Sequence, residues 1–208
     1  MIKSKKELQF YIMADRIMNG YKPRRSLTER ITFILPPPKI ISWMSYMRKA
    51  SYYKNKKNPS FIDKIQGGYN SLFFQLLSQQ LGFSIGMNVF GYGLVIPHYG
   101  TIVVNSNVIA GNYCVLHTST CIGGGEKTIG DALYLSAGAK IMGALTLGNS
   151  VSIAANSLVN KSFGDNVLLT GMPAIVKRED YQDWYKRDGE KFLERVKTCE
   201  QLKSQMNL

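Results

Sequence analysis

Along residues 129–159 the aliphatic positions fall at every sixth residue: Ile129, Leu135, Ile141, Leu147, Ile153 and Val159. The residue after each is mostly small or polar (Gly130, Ser136, Gly148, Ala154, Asn160), and the fourth after each is mostly small or apolar (Leu133, Ala139, Leu145, Val151). A helix repeats near 3.6 residues and a strand near two, so neither produces a period of six. A parallel β-helix does, when each short flat face turns one aliphatic inward and then bends. Three faces of six give coils of roughly 18 residues, about five of which fit between Ile85 and Val176. Upstream, Ile96 and Ile102 keep the spacing, as do Ile109 and Val115, with one extra residue between the pairs. Gly123-Gly-Gly-Glu-Lys127 breaks the frame again and reads as a loop pushed out of a coil corner.

The first eighty residues are patterned differently. Leu8, Ile12 and Ile17 lie near helical spacing within Ser4 to Asn19, and Gly20 closes that helix. Ser26-Leu-Thr-Glu29 has the form of a capping box, opening a short helix that Pro36-Pro37-Pro38 must end. A third helix is expected over Ile40 to Tyr53. A fourth starts at Ser60, is interrupted at Gly67-Gly68, and resumes through Leu72, Leu76, Leu77 and Leu81. Past the repeat, Tyr181, Trp184, Tyr185, Phe192, Val196 and Cys199 mark an amphipathic tail with Gly189 as an interruption. A solenoid buries its ends poorly, so the helices before it and the tail after it are expected to cap it.

Composition narrows the setting. The 208 residues are 45% apolar, as in an ordinary globular protein, and suffice for one sizeable domain with appendages. Cys114, Cys121 and Cys199 are odd in number and have no metal-ligand spacing, which points to reduced thiols and a cytoplasmic home. Charged residues break the apolar character of the first sixteen positions, so no signal peptide is expected there. No apolar run approaches the ~20 residues needed to span a bilayer.

The net charge of +12 is placed unevenly. Residues 1–64 carry fifteen Lys/Arg against four acids, whereas residues 80–176 carry three against three. The basic N-terminal part suits an anionic membrane surface or an acidic glycan, or is simply a set of solvated helix faces. No nucleic-acid motif accompanies it, so nucleic acid is not expected as a partner.

Only two histidines are present, His98 and His117, and both fall inside the repeat near its irregularities. An unperturbed imidazole titrates close to neutral pH, which suits a general base taking a proton from an alcohol. Their separation of nineteen residues is about one coil, so they can share a face. As single residues, each is equally a polar turn position.

Taken together, the six-residue repeat, the run Gly93-Leu-Val-Ile-Pro-His98-Tyr-Gly-Thr-Ile-Val-Val-Asn105 and the ending Gly171-Met-Pro-Ala174 resemble the hexapeptide acyltransferases. Within them the chain is most similar to the serine acetyltransferase branch and its relatives that acetylate capsular or exopolysaccharide sugars. The resemblance is close over 83–178 and looser over the helical part. It implies a mainly β protein: a left-handed parallel β-helix over 83–176, an α-helical N-terminal subdomain over 1–82 and a helical C-terminal tail over 177–208. It also implies acetyl-CoA as co-substrate, no metal, and a homotrimer with active sites between subunits.

Carried over position by position, His98 matches the base, with His117 orienting the acceptor or stabilising the oxyanion. Ala137 and Ala155 match the small residues along which pantetheine lies. Asn160 and Lys161 match the turn near the CoA phosphates, and Lys177 and Arg178 follow the Gly-x-Pro-Ala turn near the nucleotide. The bland alternatives are small-residue packing for the alanines and solvated charge for Lys161 and Arg178.

Departures from the serine branch bear on the acceptor. Pro97 stands where that branch has an aspartate, Gly124-Gly-Glu-Lys127 replaces its arginine–histidine pair, and no acid lies near Phe83 where a buttressing aspartate is expected. A free amino acid needs charged partners for its ammonium and carboxylate. The expected function is therefore O-acetylation of a sugar hydroxyl in surface polysaccharide assembly, with serine O-acetylation as the alternative. A catalytically silent trimeric scaffold is the alternative of another class. A zinc carbonic anhydrase on this fold needs three histidine ligands, and the chain has two. Acyl-ACP as donor is disfavoured by the Gly-Met-Pro-Ala ending. The expected location is cytoplasmic, with peripheral contact at the inner face of the membrane through the basic helices.

Overall fold

Ser4 accepts a hydrogen bond from the backbone of Glu7 and so caps the first helix, α1 (Lys5–Met18), which ends at Asn19 and Gly20 as its sequence demands. Helix α2 (Lys39–Lys54) and helix α3 (Phe61–Leu81) follow, the latter opened by a full capping box between Ser60 and Asp63 and closed by Gly82 in the left-handed conformation at φ 77°. The structure, a computed structural model, describes residues 2–24 and 38–208; the capping box expected at Ser26 to Glu29 and the helix it would open lie outside them. Helix α3 runs unbroken through Gly67-Gly68, where an interruption was expected. The reason is tertiary: Gly67 is buried against Tyr53 of α2, and the packing of α3 on α2 carries the helix through both glycines in spite of their low helix propensity.

From Phe83 the chain winds into a parallel β-helix of five coils, each with three short faces. The first face stacks β1 (Phe83–Ile85), β2 (Ile102–Val104), β5 (Thr120–Gly123), β8 (Lys140–Met142) and β11 (Leu158–Val159). The second stacks β3 (Val108–Ala110), β6 (Lys127–Ile129) and β9 (Leu145–Leu147), extended by bridges at Phe90 and Phe163. The third stacks β4 (Val115–Leu116), β7 (Tyr134–Leu135), β10 (Ser152–Ile153) and β12 (Leu168–Gly171), and β13 (Ala174–Arg178) then folds back antiparallel on β12. All six residues of the 129–159 repeat are 2% exposed or less and point into the shaft. Between the second and third faces, every coil bends through one residue at φ between 56° and 73°: Gly93, Tyr113, Ala132, Ser150 and Asn166.

The upstream frame differs from the sequence expectation. Val104, Ala110, Leu116 and Ile122 are the equivalents of Ile129 and its successors, as the pairings Ala110↔Ile129, Leu116↔Leu135 and Ile122↔Ile141 show. Ile102 lies two positions before its frame residue, still buried, whereas Ile109 points outward at 68% exposure and Val115 is buried on the outer side of the third face. The segments Ile-Val-Val and Val-Ile-Ala are apolar throughout, so apolarity alone does not fix which residue faces in. The frame slips by one residue between Ile122 and Ile129, at the glycine loop. It slips by two between Ile96 and Val104, at Pro97 to Gly100.

The helices cap the top of the shaft: Trp43, Met44 and Met47 of α2 join Phe83, Ile85 and Leu94 in one continuous core. The tail acts differently from expectation. It holds α4 (Trp184–Arg187) and α5 (Glu190–Gln205), separated at Gly189, and lies along the outside of the third face instead of across the lower end. Trp184 is buried and donates its indole N–H to the Tyr113 carbonyl at 2.7 Å, while α5 packs on α1 through Cys199 and Ala14.

Candidate active site

His98 stands in the two-residue insertion between the third face of the first coil and the first face of the second, exposed to solvent. The strand leading to it is the end strand of its face, so one edge of its backbone has no neighbouring coil. Side chains of α1 take that place. Asp15 accepts from the Leu94 N–H at 3.0 Å, and Asn19 donates to the Leu94 carbonyl at 2.8 Å and accepts from the Ile96 N–H at 3.4 Å. Asp15 is in turn held by Arg48 of α2 in a buried ion pair of 2.8 Å, and Arg48 also donates to the carbonyls of Phe90 and Gly91. The helical part therefore fixes Leu94 and Ile96, just before Pro97-His98, through three polar side chains, Asp15, Asn19 and Arg48, which supply what the solenoid itself lacks there. No hydrogen bond to the His98 ring exists among the described residues, in keeping with the missing aspartate.

One coil below, His117 is half-buried. Its Nε2 lies 3.0 Å from the Tyr134 hydroxyl, leaving Nδ1 as the nitrogen facing other partners. Burial lowers the pKa of this imidazole from 6.5, the neighbouring His98 charge lowers it further, and Asp188 opposes both. The surroundings thus favour the neutral ring. Tyr134 is itself covered by Arg187 of the tail, whose guanidinium lies 5.8 Å from the Tyr134 ring centre and 4.2 Å from that of Tyr181, and bonds Ser152 Oγ at 3.1 Å.

The backbone ladder shows which other residues belong to this corner. Gly138 donates to the Thr118 carbonyl and Asn156 to the Ala137 carbonyl, so Thr118, Ala137 and Ala155 stack in successive coils after the third face; His117, one position earlier, stacks on Ser136 and Ala154, and His98 stands at the same corner in the first coil. Gly171 follows in the fifth, donating to Ser157 Oγ. Both alanines are exposed, and a Cβ on the intervening Gly138 would meet Asn156 Oδ1 at 2.0 Å. Small residues keep this corner flat, and a convex edge lined by two imidazoles and two alanines results.

The other expected CoA contacts fall elsewhere on the same chain. Asn160 and Lys161 occupy the next corner, beyond the first face, with the Lys161 ammonium 5.5 Å from the Phe163 ring centre. Lys177 and Arg178 are exposed at the far end of β13, opposite Leu168. Three residues that sequence reasoning passed over belong to the site's surroundings: Tyr134 on His117, and Asp15 and Asn19 behind His98. Tyr134 is an outward aromatic one coil on from Val115, a signal visible once the frame is set. Asp15 and Asn19 sit about eighty positions from His98 with no local signal. Among the described residues no group of three or more His, Cys, Asp or Glu is placed to hold a metal.

No family model matches the chain. It is similar to the serine acetyltransferase of Synechococcus elongatus, 29% identical over 93 residues, which cover 41% of this chain and 38% of that protein. The chain thus aligns with well under half of that relative's length. In structure it is similar to the Neisseria gonorrhoeae serine acetyltransferase in complex with serine, with TM-score 0.56 at 17% identity over 82% of this chain and 69% of that one. It is also similar to a serine acetyltransferase in complex with CoA, with TM-score 0.55 at 18% identity over 79% and 67%. The fold is the left-handed parallel β-helix of these proteins, with helices on both sides of it in sequence.

Proposed function

We propose that this chain is an acetyl-CoA-dependent O-acetyltransferase whose reacting centre lies at the corner bearing His98 and His117. The observation that carries the proposal is one coil corner that gathers His98, His117, Ala137 and Ala155 in successive coils, on a fold similar to serine acetyltransferases. His98 takes the proton from the acceptor hydroxyl as its oxygen attacks the thioester carbonyl of acetyl-CoA. The tetrahedral oxyanion then collapses, the carbon–sulfur bond breaks, and the departing thiolate takes the proton back from His98. Neutral His117, with Nδ1 turned away from Tyr134, orients the acceptor or holds the developing charge. The pantetheine arm lies along Ala137 and Ala155, and Asn160, Lys161, Lys177 and Arg178 serve the phosphates and nucleotide.

L-Serine is the first acceptor to test, because the similar curated proteins are serine acetyltransferases. This ranks ahead of the sugar hydroxyl expected from sequence, because the similar proteins named above are serine acetyltransferases. The sugar remains as a second reading on one observation: Pro97 precedes His98, and no carboxylate reaches that ring among the described residues.

The test is release of free CoA with L-serine and with a panel of hydroxylated sugars, for the natural chain and for His98→Ala. Loss of a general base removes roughly 10²–10⁴-fold in turnover. Near-normal turnover in His98→Ala overturns the mechanism, and transfer to sugars with none to serine moves the acceptor to the second reading. Thermal stabilisation by CoA checks binding separately. At a hundred times its Kd, CoA should add about 2.7 kcal/mol, and the absence of any shift at millimolar CoA would favour a silent scaffold.

A further inference from the structure

Helix α3 carries an apolar face that is left largely exposed among the described residues. Phe61, Ile62, Ile65, Tyr69, Leu72 and Leu76 recur at helical spacing and are between 43% and 78% exposed. The opposite face is fully used: Phe74 packs on Trp43, Ser78 accepts from the Trp43 indole at 2.7 Å, and Phe73 stacks on Tyr46. The exposed side is therefore not a core face awaiting a helix of this chain among the described residues. Soluble chains rarely leave so long a run of large apolar groups in water without a use for it.

A second, independent feature coincides with it. Residues 39–64 contain seven Lys/Arg and a single acid, Asp63, which is already bonded to Lys56 at 2.7 Å. Lys54, Lys56 and Lys57 are exposed in the turn that leads into Phe61, and Lys64 is exposed one turn into the helix. Beyond Lys64, α3 has no charged residue at all; its remaining polar positions are Gln, Asn and Ser. The solenoid contributes nothing to this field, since residues 80–176 balance three bases with three acids.

We propose that α3 docks this chain on an anionic lipid surface, its apolar face entering the headgroup–acyl boundary while Lys54, Lys57 and Lys64 meet the lipid phosphates. An aromatic and aliphatic face with lysines beside it is the physical signature of a helix lying in the membrane interface. The charge chooses between occupants. A second copy would bring the same surplus of positive charge against itself, whereas anionic lipid neutralises it. The helix lies on the surface and does not cross it: none of the described helices is long and apolar enough to span a bilayer. The docking stands apart from the proposed acetyl transfer and holds whether or not that reaction is found.

The experiment is sedimentation of the full chain with phosphatidylcholine vesicles, with and without about 30 mol% phosphatidylglycerol, at roughly 50 mM and 500 mM salt. Binding is expected only to the anionic vesicles and only at low salt. Ile65→Ser/Leu72→Ser removes apolar area, and Lys57→Glu/Lys64→Glu reverses charge; every one of these sites is exposed, so circular dichroism should be unchanged. Each pair should weaken binding at least about fivefold, the loss of roughly one lipid-facing lysine. No binding to anionic vesicles at low salt overturns the proposal, as does undiminished binding by Ile65→Ser/Leu72→Ser. Concentration-dependent self-association of the natural chain that is lost in Ile65→Ser/Leu72→Ser overturns it too, by giving the face to a second copy.

Discussion

His117 brings to the proposed site an imidazole whose surroundings favour its uncharged form. Burial, His98 and Asp188 together leave its pKa below the ordinary 6.5. Between the folded and unfolded values the unfolded chain holds the proton and the folded chain does not. Stability therefore falls as pH drops through that window, and it is recovered above 6.5. Urea unfolding at pH 7 and near pH 5.5 should show a larger loss for the natural chain than for His117→Gln; equal losses would place the ring in an ordinary solvated state. Tyr134→Phe should free Nε2 of its partner and lower turnover about tenfold, the worth of one good hydrogen bond, with KM for acetyl-CoA unchanged. The same variant should move the ¹⁵N shifts of the His117 ring, which a packing role alone would leave in place. At this scale the sequence was a partial guide. Two histidines in an irregular repeat were legible, but Tyr134 was not, because its role depends on a stacking register that apolar runs such as Val108-Ile-Ala110 leave undetermined. Lys127 was misleading in the opposite sense. Grouped with the glycine loop by sequence, it occupies an inward position at 2% exposure and sends its ammonium back to the carbonyls of Gly123 and Gly124. Its long stem crosses the wall so that the charge reaches those carbonyls.

At the scale of elements, the strict repeat from Ile129 to Val159 was fully readable because β-helix faces demand one inward aliphatic per six residues, and all six are buried. Less readable was how the first coil is finished. An end strand exposes a row of backbone groups, and the chain answers with polar side chains on a helix instead of another strand. Asp15 and Arg48 illustrate the cost. Burial drives the Asp15 carboxyl upward from its usual pKa, and Arg48 opposes that with charge and hydrogen bonds. Removing only the cation leaves a buried carboxylate without its counter-charge. Arg48→Met should therefore destabilise the fold by about 3–5 kcal/mol. Asp15→Asn/Arg48→Met should be less damaging than Arg48→Met alone, since an amide oxygen still accepts from Leu94 and no net charge is buried. Denaturant unfolding of the two single variants and the double measures this coupling, and strict additivity would show that the pair acts as two unrelated polar groups.

The whole molecule turns on a geometric problem that the single chain does not solve. Pantetheine-like ligands bind in concave, walled sites, but His98, Ala137 and Ala155 stand on a convex corner of a prism. A corner becomes one wall of a groove only when a second surface approaches it, and for a threefold arrangement of identical shafts that surface is the neighbouring copy. The tail narrows the choice, because it already occupies the outside of the third face through Trp184 and Arg187 and so leaves the first and second faces, with the corners at either end of the first, for contact. In such an arrangement Asn160 and Lys161, on the next corner of the same chain, would face the histidines of a neighbour instead of their own. If each site takes its base from one subunit and its CoA wall from the next, two inactive variants should rescue each other. His98→Ala lacks the base; Asn160→Trp/Lys161→Trp blocks the wall that faces the neighbour's base. Mixed by co-expression into random trimers, about one interface in four pairs an intact base with an intact wall, so close to a quarter of natural turnover should return. Refolded separately and assayed together without exchange, the same two proteins should stay inactive. Full inactivity of the co-expressed mixture, with mixed trimers verified by mass, would mean that base and wall belong to one chain and that the convex corner is closed by some other means.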